Sequence, residues 1–427
     1  MTKFLTLDDI KVKDKVILVR VDFNSPIDPR TQRILEDTRI RAHAETTIQE
    51  LSEKGAKTVI LAHQGRKGDP DFISLEQHAG ILSKILKKPV EYVNDLYGEK
   101  AKKAIKSLKS GEILVLENVR NFTLETKDGT PEDQAKTDLV KNLAPLADFF
   151  VNDAFAAAHR AHVSMVGFTA ILPSVAGRIM ERELKSLSRV LESPDKPCIF
   201  IFGGAKADDS LEISKYVLDK GIATQVLTGG VIGQVFCAAK GYDLGRPNME
   251  FLEKGESMKL VPGIRELMQK YKDSIKIPED FAVDENGKRK EITTKQLPTT
   301  YLIFDIGART VKSYGKIISK AKSIVISGPM GKYEDNEFNF GTKSVLEQVA
   351  NSEGFSLAGG GHTIAAIELF KLTDKFSYIS TAGGALIDFL MGKELPGVTA
   401  LEKAASKRTC PLFDSVSSST RVIHSEQ

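Results

Sequence analysis

VILVRVDFN, residues 16–24, is the stretch that decides the fold. Apolar and β-branched residues run to Val21 and stop at Asp22 and Asn24, which reads as a buried strand ending in a polar loop. Outward from it, residues 38–51 read as a helix, 58–62 (TVILA) as a second strand and 74–86 as a helix. Residues 113–116 read as a strand, 132–144 as a helix and 149–151 as part of a further strand. Strands alternating with helices predict βαβ units around a parallel sheet. Residues 177–192 (GRIMERELKSLSRVLE) then break the rhythm as one long amphipathic helix, closed by SPDKP. A second βα series starts at CIFIF, residues 198–202, and continues through strands at 225–227, 323–326, 355–357 and 378–379. A loop-rich insert, residues 276–298, predicts a small hairpin. The expected class is α/β: two doubly wound, parallel-sheet, Rossmann-like domains joined by a helical hinge.

The 427 residues suit two domains at roughly 100–200 residues each. With 41% hydrophobic and 27% charged residues, the composition excludes a mainly disordered chain. The formal charge of +3 gives no strong field toward nucleic acid or an anionic membrane, so any anion site has to be built locally from Arg and Lys. Cys198, Cys237 and Cys410 are far apart and in no CxxC, which excludes a disulfide framework or zinc cluster and fits a reducing compartment. The N-terminus is charged within a few residues, and no apolar run approaches the ~18 residues of a membrane span. A soluble cytoplasmic protein is expected. The tail, residues 408–427, is polar and includes SVSSST.

In the second half, strand after strand runs into glycine: Gly203-Gly204-Ala205-Lys206, Gly229-Gly230, Gly328-Pro329, Gly359-Gly360-Gly361-His362-Thr363 and Gly383-Gly384. Ligands of open α/β sheets bind beyond the carboxyl ends of the strands. Glycine there brings backbone N–H groups close to phosphate oxygens, at helix N-termini that favour anions. One such loop is ordinary punctuation; five in one half point to a phosphate-bearing ligand. No G-x-x-x-x-G-K-[ST] and no G-x-G-x-x-G after a strand is present, which disfavours a Walker A site and a dinucleotide fold. Lys206 stands where a point cation meets a transferring phosphate. Asp208 and Asp209 open the next helix, where they favour its dipole or hold Mg²⁺ through a carboxylate. Glu334 is either an exposed loop acid or a ribose acceptor.

The first half ends its strands in arginine instead. Asp22 and Asn24 are followed by Arg39, then by His63 and Arg66, by Arg120, and by His159, Arg160 and His162. Each is ordinary as a surface residue. Gathered on one sheet edge they form a pocket for a small, multiply negative molecule, because Arg holds carboxylate and phosphate bidentately. A metal at His159 and His162 is the weaker alternative, lacking a carboxylate cluster at ligand spacing. An anion-binding half and a phosphate-cradling half suit a two-substrate phosphoryl transfer, with closure excluding water and aligning the oxygens. A nicotinamide-dependent dehydrogenase is disfavoured by the missing fingerprint, and a single-ligand binding module by the charged residues in both halves.

VRVDFNSP, LAHQGRKG, LENVRNF, NDAFAAAHRAHVSMVG, FGGAKADD, SGPMGKYE, AGGGHT and STAGGALIDFLMGKELPGVTAL occur in this order. From about residue 10 to 402 the chain resembles the phosphoglycerate kinase family, in its archaeal branch. The resemblance implies reversible transfer between ATP and 3-phosphoglycerate, with ATP/ADP as co-substrate, Mg²⁺ as cofactor and a monomer as the expected state, a homodimer being the alternative. It implies an N-terminal 3-phosphoglycerate domain (1–172, with residues 403–427 packed back on it), a linker helix (173–192) and a nucleotide domain (193–402). The acid-substrate residues would be Asp22, Asn24, Arg39, His63, Arg66, Arg120, His159 and Arg160. The nucleotide residues would be Gly204, Ala205, Lys206, Gly229, Gly230, Gly328, Pro329, Glu334, Gly360, Gly361, His362 and Thr363, with Asp209 toward the metal. Arg39 and Lys206, with the backbone of Gly383 and Gly384, would stabilise the moving phosphoryl group. Four positions depart from the usual pattern: Ser210 stands for a second Lys, His362 for Asp, Ser327 for Asn before Gly-Pro, and Ala382 within the TAGG cluster.

Overall fold

The computed structural model describes residues 4–408. Cys410 and the tail segment SVSSST lie outside them. The chain divides into two compact units, Met1–Leu184 with Glu394–Gln427, and Lys185–Lys393.

The first unit holds six strands: β1 (Val16–Arg20), β2 (Lys57–Leu61), β3 (Glu91–Tyr92), β4 (Ile113–Val115), β5 (Phe149–Asn152) and β6 (Ser174–Ala176). All pair in parallel, in the order β3-β4-β2-β1-β5-β6. β1 is buried at every position from Ile17 on, the pattern of a strand covered on both faces. One apolar layer, with Ile17, Val19, Ile40 and Ile48, packs on one face; another, with Leu18, Phe150 and Phe168, packs on the other. The expected helix at 38–51 is a continuous helical run with a wider-wound π segment, Ala44–Ile48, between Thr38–His43 and Gln49–Glu53.

The expected single helix at 132–144 is instead two short ones, Pro131–Gln134 and Asp138–Leu143, followed by the tight turn Ala144–Leu146. Thr137 breaks it: its backbone is extended and its hydroxyl donates to the Gln134 carbonyl at 2.6 Å. Gln134 is buried and its amide is held by Lys127 O and Ala161 O. Local side-chain bonds of this kind compete with helix continuation.

The second unit holds a parallel sheet in the order β15-β14-β13-β7-β8-β9. Its strands are β7 (Cys198–Phe202), β8 (Gln225–Thr228), β9 (Ile275–Lys276), β13 (Ser323–Ser327), β14 (Phe355–Gly359) and β15 (Tyr378–Ser380). The insert is a hairpin of β10 (Asp280–Glu285) and β11 (Lys288–Thr293), turning through Asn286 and Gly287, both at positive φ as a two-residue hairpin loop requires. A third antiparallel strand, β12 (Ile303–Ile306), completes a small sheet of its own. β3, β6, β9 and β12 escape the sequence reading.

The chain returns to the first unit at Glu394, earlier than the expected 403. The helix Pro396–Arg408 packs against β6 and the Val163–Val166 turn, and Gly397 donates its N–H to Ala158 O at 2.9 Å. Leu395, Val398 and Leu401 are buried, so the apolar residues of LPGVTAL carry the return. Leu401→Ala should lower the stability of the folded protein by about 2–5 kcal/mol, the cost of a fully buried Leu cavity. Urea unfolding at constant m-value reads this directly; an unchanged midpoint contradicts the packing role of the returning helix.

Candidate active site

In the first unit the strand order brings the carboxyl ends of β4, β2, β1 and β5 side by side. The chain leaves β1 toward β2 and later comes back to β5 on the other side, so β1 and β5 flank the reversal point, where open sheets bind ligands. Asp22 follows β1 and is buried, with Arg39 bound to its Oδ2 and the Asn24 N–H donating to Oδ1 at 3.1 Å. Burial opposes its ionisation, but Arg39 and the Asn24 amide outweigh it and hold the carboxyl below its ordinary range. Asn24 Oδ1 accepts the Gly65 N–H at 2.9 Å, and the Arg120 guanidinium donates to Gly65 O, tying the loops after β1, β2 and β4 together. Arg160 Nε donates to His159 Nε2 at 3.2 Å. Arg66 is exposed.

Beneath these loops lies a layer that sequence reasoning missed. Arg20 is the penultimate residue of VILVRV and only 1% exposed. Its Nη2 lies 3.0 Å from His63 Nδ1 and its Nε donates to Ser164 Oγ at 2.9 Å. Ser164 Oγ in turn donates to Glu125 Oε1 at 2.5 Å, and the Ser164 N–H donates to Oε2 at 2.9 Å. A guanidinium can only donate, so His63 Nδ1 accepts and the ring proton sits on Nε2. Burial, reinforced by Arg20, pushes the His63 pKa well below its ordinary value. His162 falls to about 4 by burial, with Arg160 and Arg20 adding to it. Arg120 falls to about 10, first by burial and then by repulsion from Arg160, Arg20 and Arg66. Arg120 thus senses Arg20, Arg66 and Arg160, and Arg20 senses Arg160, with buried Glu125 as a counter-charge. Such a cluster is relieved by a polyanion. The available signal was a charged residue inside an otherwise apolar strand.

In the second unit β7 and β13 flank the reversal. The loops after β7, β8 and β13 interlock: Gly204 N–H donates to Pro329 O at 2.7 Å, Gly230 N–H to Met330 O at 2.7 Å, and Gly229 N–H to Phe202 O at 2.8 Å. This corrects the expectation that these amides meet phosphate, because they are bonded to neighbouring loops. Gly328 shows the reason for glycine: φ is +90°, and a Cβ would lie 2.0 Å from Gly203 O.

The stacked loops wall a cavity of about 360 Å³ that includes Gly204, Ala205, Gly230, Pro329, Glu334 and His362. Its further lining is largely apolar, with Val231, Phe251, Leu302, Phe304 and Tyr333, none anticipated from sequence. Phe304 and Leu302 come from β12 and its approach. An apolar slot beside helix starts fits a heteroaromatic ring with phosphates. His362 Nδ1 lies 3.3 Å from Tyr333 OH and 3.8 Å from Glu334 Oε1. Thr363 Oγ1 accepts the Gly328 N–H at 2.7 Å. Lys206, Gly229, Gly328, Gly360, Gly361 and Thr363 lie outside that lining. Lys206 is exposed at the start of the Ala207–Asp219 helix, while Gly360–Gly361 and Gly383–Gly384 open the Gly361–Leu369 and Gly384–Leu390 helices. Ser210, the departure from a second Lys, is buried and donates to Lys206 O at 3.2 Å. Among the described residues no three His, Cys, Asp or Glu are grouped to enclose a metal. A magnesium ion held chiefly by phosphates and water needs only one or two carboxylates, and Asp209 stands half-buried in the first turn of the Ala207–Asp219 helix.

The two units together define a class: a two-substrate α/β protein built to handle polyanions. A sequence model described as phosphoglycerate kinase matches residues 7–393. The phosphoglycerate kinase of Methanothermobacter thermautotrophicus is 46% identical over 402 residues, 94% of this chain and 97% of its own. That of Methanococcus maripaludis is 48% identical, over 95% and 99%. The crystal structure of phosphoglycerate kinase from Pyrococcus horikoshii superposes with a TM-score of 0.84 at 42% identity, covering 95% of this chain and all of that one. The chain therefore belongs to the phosphoglycerate kinase family, and its similar relatives are mostly archaeal. Its reaction is the reversible transfer of a phosphoryl group between ATP and the carboxylate of 3-phosphoglycerate, giving ADP and 1,3-bisphosphoglycerate, a step of glycolysis.

The Glu125 carboxyl is pushed up to about 7 by burial, against the opposing pull of Arg20 and Ser164. Folded protein therefore holds this proton between the ordinary value of 4.5 and about 7, where the unfolded chain has released it. The folded state binds more protons in that window, so this group makes stability fall as pH rises through it. Glu125→Gln should flatten the slope. Urea unfolding at about pH 5, 6 and 7 gives the comparison, and parallel slopes in the two proteins would refute the assignment.

Proposed function

We propose that the first unit holds 3-phosphoglycerate, that the second holds the nucleotide, and that transfer is direct and in line after hinge closure. The observation that carries this reading is the self-repelling cluster of Arg20, Arg66, Arg120 and Arg160 at one sheet edge, set against an apolar, glycine-walled cavity in the other unit. Asp22, Asn24, Arg39, His63, Arg66, Arg120, His159 and Arg160 bind the acid substrate. Gly204, Ala205, Gly230, Pro329, Glu334 and His362 take the nucleoside part. Lys206, Gly229, Gly328, Gly360, Gly361 and Thr363 serve its phosphates, the glycines in the interlocked loops by shaping the backbone.

The attacking carboxylate is ionised near pH 7 and requires no general base. Catalysis is then positioning and neutralisation of charge by Arg39, Lys206 and the opening amides at Gly383 and Gly384. Mg²⁺, held through Asp209 and the nucleotide phosphates, supplies further positive charge at the phosphoryl oxygens. Each chain carries both sites and works as a monomer, in the cytoplasm, where the same reaction also serves gluconeogenesis.

Mixing the purified protein with Mg-ATP and 3-phosphoglycerate should release ADP, and none from a folded sample overturns the reading. Arg39→Ala and Lys206→Ala should each slow turnover by on the order of 10²–10³, the loss typical of a preorganised charge partner. Near-normal turnover in either folded variant removes that residue from the mechanism. Arg66→Ala should raise KM for 3-phosphoglycerate more than KM for ATP; equal effects on both would contradict the assignment of substrates to units.

A further inference from the structure

The helical run 38–53 does more than carry Arg39. Arg39, His43, Thr47 and Glu50 stand at intervals of four, four and three, which places them along one face of the run. Each makes a specific bond, and the bonds lead in one direction. Arg39 binds Asp22 Oδ2. His43 is buried, accepts the Asp22 N–H on Nε2 at 3.2 Å and meets Asp153 Oδ2 through Nδ1 at 2.6 Å. Because Nε2 accepts, the ring proton lies on Nδ1 and is donated to the carboxylate. Asp153 is fully buried, and its other oxygen accepts the Ile179 and Met180 N–H groups at 2.8 and 3.2 Å. These are opening amides of the Arg178–Leu191 helix. Thr47 Oγ1 accepts the Arg178 N–H at 2.7 Å, and Glu50 holds the Arg178 guanidinium at 2.7 Å through both oxygens. A carboxylate at a helix start is favoured by the free N–H groups and the dipole. Its seat is built for close approach: a Cβ on Gly177 would lie 2.3 Å from Asp153 Oδ1.

We propose that His43 is a positioning residue that ties Asp22 of the acid-substrate site to the Asp153 carboxylate capping the Arg178–Leu191 helix, so that loading of that site is transmitted to the helix's first turn. The inference rests on the reading that Asp22 and Arg39 hold the acid substrate. The chain is continuous and buried: Ile40, Ala44, Ile48 and Leu51 fix the run against the sheet, so a displacement at Asp22 is not absorbed by a loose segment. The same helix carries the chain out of the first unit at Leu184, so its first turn lies on one of the two chain segments that join the units, the other being at Glu394.

The test is amide hydrogen exchange on the full-length protein with and without saturating 3-phosphoglycerate. In the unaltered protein the ligand should slow exchange at residues 22–24 and, by roughly tenfold, at Ile179 and Met180. In His43→Ala the effect at 179–180 should fall below about twofold while that at 22–24 remains, and His43→Gln should restore part of it. Thr47→Val is the control: it removes only the neighbouring bond to the Arg178 N–H, leaves Asp22, His43 and Asp153 in place, and should keep most of the response at 179–180. His43→Ala should also lower kcat by about tenfold, the cost of misplacement from outside the reacting groups, with KM for ATP unchanged. Full slowing at 179–180 in His43→Ala, or a loss of it in Thr47→Val as large as that in His43→Ala, would overturn the relay. If the unaltered protein shows no slowing at 22–24, the acid-site reading itself fails and takes the relay with it.

Discussion

In a parallel sheet every strand releases its chain at the same edge, and a crossover must carry it back before the next strand can pair. Both large sheets are wholly parallel, so each unit collects all its strand-end loops on one side. The order then decides which loops meet. Where the chain reverses direction across the sheet, crossovers from the two flanking strands go to opposite faces and leave a crevice. In the first unit that crevice lies beside β1, and Asp22 is the first residue but one after the strand. In the second it lies between β7 and β13, and Gly203 and Gly328 follow at once.

What fills each crevice is a matter of residue type. The first unit places a guanidinium, Arg20, inside the protein. Arg does not shed its proton, so burial has to be compensated by partners. Ser164 and Glu125 do this from below, and His63 and the Val21 carbonyl accept from the remaining nitrogens. The compensation is partial: Glu125, pushed up to about 7, and Asp22, already bound by Arg39, stand against Arg20, Arg120 and Arg160. The pocket is left short of negative charge, and a phosphate or carboxylate completes it. His63, kept neutral by burial and by its contact with Arg20, adds a donor on Nε2 and no further repulsion.

The strand–helix alternation and the two-unit plan were legible because long apolar runs such as CIFIF and VILVR are buried along almost their whole length. Arg66, Arg120 and Arg160 were legible because they recur in the loops after strands, and Arg39 because it opens the helix that follows the first strand. Arg20 was not, since a charge within a strand carries no sign of whether it is paired below the surface. His43 was not, since its partner Asp153 is 110 positions away. The apolar wall of the cavity was hidden for a different reason: Phe251, Leu302 and Phe304 come from a helix, a loop and a four-residue strand with no shared pattern. The glycine loops were found for a reason that holds only in part, because several of those amides bond to one another and glycine is needed there for backbone-to-backbone approach.

The Ser210 departure can now be read physically. A lysine at that point would place a second cation one turn beyond Lys206, beside Asp208 and Asp209. Ser210 instead turns inward and returns its hydroxyl to Lys206 O, one turn back along the helix, a bond that stays within the element. It offers no charge to a phosphate. On the reading proposed above, neutralisation in the second unit then falls to Lys206, to the helix starts at Gly361 and Gly384, and to the metal. On the same reading His362, beside Tyr333 and Glu334 in the cavity wall, replaces an acid by a group that can donate toward the nucleoside part, so one negative charge is removed from the nucleotide's surroundings. The two departures act in opposite directions on the same local balance: one removes a cation, the other removes an anion.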